Sequence, residues 1–170
     1  MKTRLDVPHD LSDEVWPRPV NDRPADAGRT IREIERELIA MTETEIRNRN
    51  IVETVCQAFN DHDADGILAH FADDAVWLLS RGAPPDGVTL RGKAEIRAML
   101  DRRFSSIPDM AWEIHSHWAG GDRACSEWTV TGTEANGERL EWLGCDLWRL
   151  DADGRVVRKD TYWKYAGGES

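Results

Sequence analysis

The chain has 170 residues, a formal net charge of −10 at pH 7 and 40% hydrophobic residues. This length suits one domain with its own core. The acidic balance argues against a nucleic-acid partner, which would need clustered Lys and Arg. No run approaches the ~20 apolar residues of a membrane span, and the N-terminus lacks the apolar region of a signal peptide. We therefore expect a cytoplasmic protein that binds neither nucleic acid nor membranes.

Tryptophan is the unusual residue, with 8 Trp against only 2 Tyr and 3 Phe. Several of them fall in strand-like segments, which favours a cavity lined by large flat side chains. Simple filling of the core is the alternative. The 3 cysteines show no C-x-x-C spacing, so the sequence predicts neither a disulfide framework nor a zinc site.

The first part of the chain predicts a tail followed by helices. Residues 1–29 are rich in proline and charge, so we expect them to be disordered or to wrap a partner subunit. Residues 30–165 then form a single domain, and 166–170 a short C-terminal tail. Thr30 is a candidate N-cap for an added helix, and the capping-box pattern Thr42–Glu45 predicts a second helix that ends near Asn60.

The middle of the chain alternates short helices and strands. Asp61–Gly66 is acidic but lacks the spacing and terminal glutamate of a calcium loop, so we interpret it as a turn. The remaining predicted elements are a short helix at Gly66–Phe71, a strand at Ala75–Leu79, a long loop at Ser80–Arg91, a helix at Lys93–Phe104 and a strand at Ala111–Trp118.

The last 40-odd residues predict a three-stranded meander through about Tyr165. A two-residue turn at Asn136-Gly137 places Asp146 opposite Glu127. A four-residue loop at Asp151–Gly154 then places Lys159 opposite Asp146. A two-residue turn would instead pair Asp146 with Thr161, but would keep Lys159 on the same face, because side chains alternate with a period of two.

This register brings two carboxylates and one ammonium into a row among indoles. Burying them is costly without a purpose, so we take Asp146, Lys159 and Glu127 as candidate catalytic residues for proton transfer. A structural ion pair is the alternative. The predicted substrate-binding residues are Trp77, Leu79, Met99, Trp112, Thr129, Trp142 and Trp163.

Two histidines, His115 and His117, are spaced for metal binding from one strand face. The same pairing places Trp112, Ile114, Ser116 and Trp118 on the face of Asp146 and turns both histidines away from it. The pairing supplies no third ligand, so we predict no metal and no cofactor.

Three segments carry a resemblance to a known superfamily: Val55–Val76 (VCQAFNDHDADGILAHFADDAV), Leu90–Arg97 (LRGKAEIR) and Cys145–Val157 (CDLWRLDADGRVV). Over roughly residues 51–165 the chain resembles the nuclear transport factor 2 superfold, in its branch of ketosteroid isomerases and SnoaL-like polyketide cyclases. The resemblance implies an α+β fold, in which a cone-shaped, curved antiparallel sheet wraps around N-terminal helices. It also implies homodimers formed through the outer face of the sheet.

The resemblance also bears on the chemistry of single positions. Asp146 stands where ketosteroid isomerases carry an aspartic acid of the oxyanion hole. Leu79 and Val55 stand where those enzymes carry their general base and a tyrosine. Limonene epoxide hydrolases share the fold and use an Asp–Arg–Asp set, whose arginine corresponds to Gly144 and whose second aspartate falls near Thr161.

The charged row predicts cofactor-free acid–base chemistry, and the resemblance implies an enzyme of the cyclase, isomerase, dehydratase or epoxide hydrolase type. Its substrate would be a small apolar or aromatic molecule in a Trp-lined pocket. The alternative is a non-catalytic ligand-binding or assembly module, including the small subunit of a ring-hydroxylating oxygenase.

Overall fold

The computed structural model describes residues 30–83 and 85–164. Its elements in chain order are α1 (Ile31–Asn60), α2 (Ala64–Ala69), β1 (Phe71–Leu78), β2 (Thr89–Arg91), α3 (Gly92–Ser106), β3 (Ala111–Gly120), β4 (Arg123–Thr133), β5 (Arg139–Leu150) and β6 (Val156–Trp163). This confirms the predicted α+β class. The tails expected at 1–29 and 166–170 lie outside the described residues.

The six strands form one curved, unclosed sheet in the order β2-β1-β6-β5-β4-β3. All neighbouring strands are antiparallel except β1 and β6, which run parallel. The predicted antiparallel sheet therefore contains one parallel pair. The helices cover the inner face of the sheet, where Val52, Val55 and Ile96 are fully buried in the core. No helix within the described residues is both long and apolar enough to cross a membrane.

Helix α1 is one continuous helix of 30 residues, where the sequence predicted two. Its start is as predicted, because Thr30 and Glu33 form a reciprocal capping box. The second capping-box pattern at Thr42–Glu45 does not begin a new helix. No glycine or proline precedes it to end the first helix, so the backbone hydrogen bonds simply continue.

The β4–β5 hairpin differs from the prediction by one residue. Glu134 pairs with Glu138 through a 2.9 Å hydrogen bond, so the loop has three residues and ends at Gly137, whose φ is +84°. Asp146 therefore lies opposite Ser126, and Glu127 lies opposite Cys145. A shift of one residue moves every side chain of a strand to the other face. Glu127 consequently leaves the face of Asp146.

Two bulges complete the register. The loop between β5 and β6 has three residues, which alone would turn Lys159 away from Asp146. Val157 is an extra residue in β6, however, and this bulge returns Lys159 to the face of Asp146 by pairing Asp146 with Thr161. In β3, an equivalent bulge at His115 turns Ser116 and Trp118 outward and His117 inward. The predictions for these three side chains were wrong.

Candidate active site

The centre of the inner sheet face is a buried ion pair between Asp146 and Lys159. Asp146 Oδ1 accepts hydrogen bonds from Lys159 Nζ and, at 2.6 Å, from Thr161 Oγ1. Thr161 Oγ1 also accepts from Lys159 Nζ at 3.0 Å. All three residues are at least 95% buried. The pair is favourable in this position only because each polar atom has a partner.

The other carboxylate oxygen of Asp146 is held by an indole. Trp128 Nε1 donates to Asp146 Oδ2 over 2.9 Å, although Trp128 itself lies opposite Gly144. A Cβ at Gly144 would lie 2.5 Å from Trp128 Cη2 and 2.5 Å from the carbonyl oxygen of Tyr162. The missing side chain is therefore what lets this indole lie across β5 and reach the carboxylate.

The Lys159 ammonium sits among aromatic rings. Its Nζ is 4.2 Å from the ring centroid of Trp77, 4.9 Å from that of Trp148 and 5.4 Å from that of Phe59. Burial lowers the pKa of Lys159, and the charge and hydrogen bond of Asp146 oppose that shift. The rings attract a cation without neutralising it, so they support an ammonium whose single counterion is Asp146.

A second group of polar contacts lies beside this centre. Ser126 Oγ accepts the Nε1–H of Trp148 over 2.9 Å and lies 3.0 Å from His117 Nδ1. Burial lowers the pKa of His117. Of two smaller effects, the charge of Glu53 raises this pKa and that of Arg49 lowers it further. The hydrogen bond from Trp148 to Ser126 fixes the orientation of the Trp148 indole, which is one of the three rings around the Lys159 ammonium.

Asp146 and Lys159 lie at the bottom of a narrow pocket, which we call the inner pocket. It leaves room near the carboxylate for only a water-sized group. Its lining residues are Cys56, Phe59, Arg103, Trp112, Ile114, Trp128, Asp146, Lys159, Thr161 and Trp163. Burial and the neighbouring Asp146 raise the pKa of Cys56 to about 12, so its thiol stays neutral.

A wider and more open groove adjoins the inner pocket and shares Arg103 and Trp163 with it. We call it the outer groove. Its lining residues are Arg81, Met99, Arg102, Arg103, Ser106, Ile107, Met110, Glu134, Leu140, Trp142 and Trp163. A ligand that spans both spaces would place only its smallest group beside Asp146.

The structure brings together four of the ten residues predicted for the site. Asp146, Lys159, Trp112 and Trp163 line the inner pocket. Glu127 does not, because it is exposed on the outer face, where Ser116 donates a hydrogen bond to it. The prediction that Glu127 lies in a row with Asp146 and Lys159 is therefore wrong.

The other five predicted residues do not line the inner pocket. Thr129 is on the outer face, 2.8 Å from His115 Nε2. Met99 and Trp142 line the outer groove, and Leu79 lines a separate depression beside Trp163. Trp77 is fully buried behind the pocket and donates its Nε1–H to Thr161 over 2.9 Å, so it positions the centre without facing a ligand.

Sequence reasoning missed several residues that line the pocket or lie directly behind it. Trp128 and Ser126 were assigned to the wrong face with the rest of β4, and the mid-strand glycine at Gly144 was the available signal for a close approach. Arg103 was hidden because one arginine near the end of an amphipathic helix is ordinary. Within the described residues, no three His, Cys, Asp or Glu side chains come together in a way that could hold a metal.

Comparison with known proteins places the chain in a family. The sequence profile of the SnoaL-like domain matches residues 52–159, which is more than half of the chain. The chain belongs to the SnoaL-like domain family. This SnoaL-like protein has no significant match among curated proteins.

Solved structures share the fold of this SnoaL-like protein. An NTF2-like protein of unknown function from Burkholderia pseudomallei is 25% identical, with a TM-score of 0.61 over 69% of this chain and 91% of the other. A candidate polyketide cyclase from Xanthomonas campestris is 25% identical, with a TM-score of 0.62 over 70% and 91%. An LEH-like epoxide hydrolase from Mycobacterium tuberculosis is 22% identical, with a TM-score of 0.58 over 71% and 84%, and shows the fold alone.

Proposed function

We propose that this SnoaL-like protein is a cofactor-free acid–base enzyme that acts on a small apolar or aromatic molecule, with Asp146 as its general base. The observation that carries the proposal is a buried carboxylate at the bottom of a pocket lined by Trp112, Trp128 and Trp163. A general base must lie within hydrogen-bond reach of the proton that it removes, and the pocket gives a small group access to this carboxylate. The similarity to a candidate polyketide cyclase from Xanthomonas campestris is consistent with this chemistry.

The hydrogen bonds of Asp146 indicate which oxygen would receive the proton. Oδ1 is occupied by Lys159 and Thr161, whereas Trp128 is the one donor to Oδ2 among the described residues. Each carboxylate oxygen can accept two hydrogen bonds, so Oδ2 keeps one free acceptor position. Lys159 then acts as a positioning residue, since it holds the carboxylate by Oδ1. Proton abstraction from carbon beside a carbonyl, or activation of water, would both use Oδ2.

The test is proton exchange, which detects a base before the natural substrate is known. The protein is incubated in D2O with 1-indanone, 2-tetralone or benzoylacetone, and loss of the C–H signals beside the carbonyl is followed by NMR. Hydrolysis of styrene oxide in H2(18)O, followed by mass spectrometry, tests activation of water. We expect rates above buffer for the wild type and for Asp153→Asn, an exposed loop carboxylate, but not for Asp146→Asn.

Exchange that survives in Asp146→Asn would refute the assignment of the base. Absence of turnover with every probe would favour the second candidate, a non-catalytic ligand-binding module. One observation supports that candidate: three of the four acceptor positions of Asp146 are already occupied. In a binding module, a ligand would bind at the same pocket without chemical change.

We also propose that the outer face of the sheet forms a homodimer interface. Four large apolar side chains on this face are exposed, namely Trp118, Leu143, Leu147 and Tyr162. An exposed apolar patch of this kind marks an interaction surface. Light scattering should therefore give the mass of a dimer for the wild type and of a monomer for Leu147→Lys. An unchanged monomeric mass for both would contradict the proposal.

A further inference from the structure

The junction of the inner pocket and the outer groove contains hydrogen-bond donors without acceptors. Arg103 lies near the end of α3, is half-buried, and contacts the ring of Trp77 at 5.5 Å from its centroid. Within the described residues its guanidinium has no carboxylate or hydrogen-bond partner. Trp163, which lines both spaces, has a buried Nε1–H that no described atom accepts. A buried donor without an acceptor is destabilising, so the Trp163 N–H is suited to a ligand atom. The unpaired guanidinium of Arg103, which lines the same two spaces, can add a charged donor to the same ligand.

The charged side chains of the two spaces also favour a ligand that is an anion and a hydrogen-bond acceptor. The inner pocket holds the cations Arg103 and Lys159 against one carboxylate, Asp146. The outer groove adds Arg81 and Arg102 against Glu134. The two spaces together therefore carry two more positive than negative side chains, in a chain whose net charge is −10. Such a local excess concentrates anions at the entrance of a site.

Neither of the other arginines is neutralised. Arg81 stacks on Trp142 and Trp163, at 4.7 and 5.5 Å from their ring centroids. The ion pairs of the described residues include neither Arg81 nor Arg102. Burial lowers the pKa of Arg103 to about 10, which leaves it charged at neutral pH. Arg81 and Arg103 thus lie against aromatic rings, and none of the three arginines forms an ion pair within the described residues.

We propose that the ligand of this pocket is an aromatic carboxylate, whose carboxylate binds Arg103 and Trp163 Nε1–H at the junction. Its aromatic body lies in the outer groove against Leu140, Trp142 and Met99. A guanidinium binds a carboxylate through two parallel hydrogen bonds, and the indole N–H adds a third. The inference deepens the proposed function by naming the substrate class, and it rests on that function only for the chemical step at Asp146.

Calorimetry with matched probes tests the proposal. The pairs are 2-naphthoate with 2-naphthamide and benzoate with benzamide, which differ in charge but hardly in shape. We expect the wild type to bind the carboxylate of each pair at least about tenfold more tightly, as the loss of a hydrogen bond to a charged group predicts. Affinity for the carboxylate should also fall as salt is added, whereas that for the amide should not.

Variants separate the two donors from general effects of charge. Arg103→Gln should remove most of the preference for the carboxylate, and Trp163→Phe, which keeps a ring, should reduce it. Arg123→Gln, at an exposed arginine that begins β4, serves as the control and should bind like the wild type. Near-UV circular dichroism checks that each variant is folded.

Asp146→Asn distinguishes this inference from the proposed function. It should bind 2-naphthoate at least as tightly as the wild type, because a neighbouring negative charge is removed, even though proton exchange is lost. Equal affinity for carboxylate and amide, no binding of either carboxylate, or an unchanged preference in Arg103→Gln would overturn the inference, whatever the result of the exchange assay.

Discussion

Replacement of Gly144 by alanine should disrupt the contact between Trp128 and Asp146. The new Cβ would lie 2.5 Å from Trp128 Cη2, 2.7 Å from Trp128 Cζ3 and 2.5 Å from the carbonyl oxygen of Tyr162. The indole can move away from the new Cβ, whereas the carbonyl oxygen belongs to the backbone of the neighbouring strand and cannot easily do so, and its close contact adds strain. Overpacking costs about 1–3 kcal/mol, and part of a hydrogen bond to a charged group is lost with it. We expect a total loss of about 2–4 kcal/mol in the free energy of unfolding.

Urea unfolding followed by circular dichroism measures this loss, and the near-UV spectrum should change as the indole moves. Gly120→Ala is the matched control, because a Cβ at that strand glycine meets no atom within 4 Å. It should change the free energy of unfolding by no more than about 0.5 kcal/mol. A Gly144→Ala variant with the stability and near-UV spectrum of the wild type would show that Trp128 does not lie across β5 as described.

Three further predictions concern the buried charges and their neighbours. Lys159→Met should destabilise the fold by about 3–5 kcal/mol in urea unfolding, because it leaves a buried carboxylate unpaired. The double variant with Asp146→Asn should recover part of this loss, and additive effects of the two substitutions would argue against the ion pair. Glu127→Gln should keep proton exchange at the wild-type rate, and its loss would support the register predicted from sequence. Burial lowers the pKa of His117 below 6.5, so the unfolded chain binds that proton more readily and stability falls as the pH drops through this region. The urea midpoint of His117→Gln should therefore fall less than that of the wild type between about pH 7.5 and pH 5.5; an equal fall in both would refute this.

The sequence by itself determined the type of most elements and the alternation along the strands, although strand β2 (Thr89–Arg91) falls in the predicted loop at Ser80–Arg91. Periodic apolar residues, the Thr30 cap and the Asn-Gly and Asp-Gly turns were sufficient for the α+β class and the meander. They also led to Asp146 and Lys159 on one face, but through a loop of four or two residues. The observed loop has three residues, so this agreement depends on the bulge at Val157. Similar residues in Val55–Val76 and Cys145–Val157 indicated the family.

Only the tertiary structure decided which acid faces the pocket. A turn one residue longer moved Glu127 out and Ser126 and Trp128 in, and the bulge at Val157 kept Lys159 on the face of Asp146. Loops and bulges of this kind depend on packing between strands, so local sequence does not specify them, although each extra residue reverses every side chain beyond it. The cationic junction at Arg103 likewise appears only when α3 packs against the sheet, because its neighbours come from distant parts of the chain.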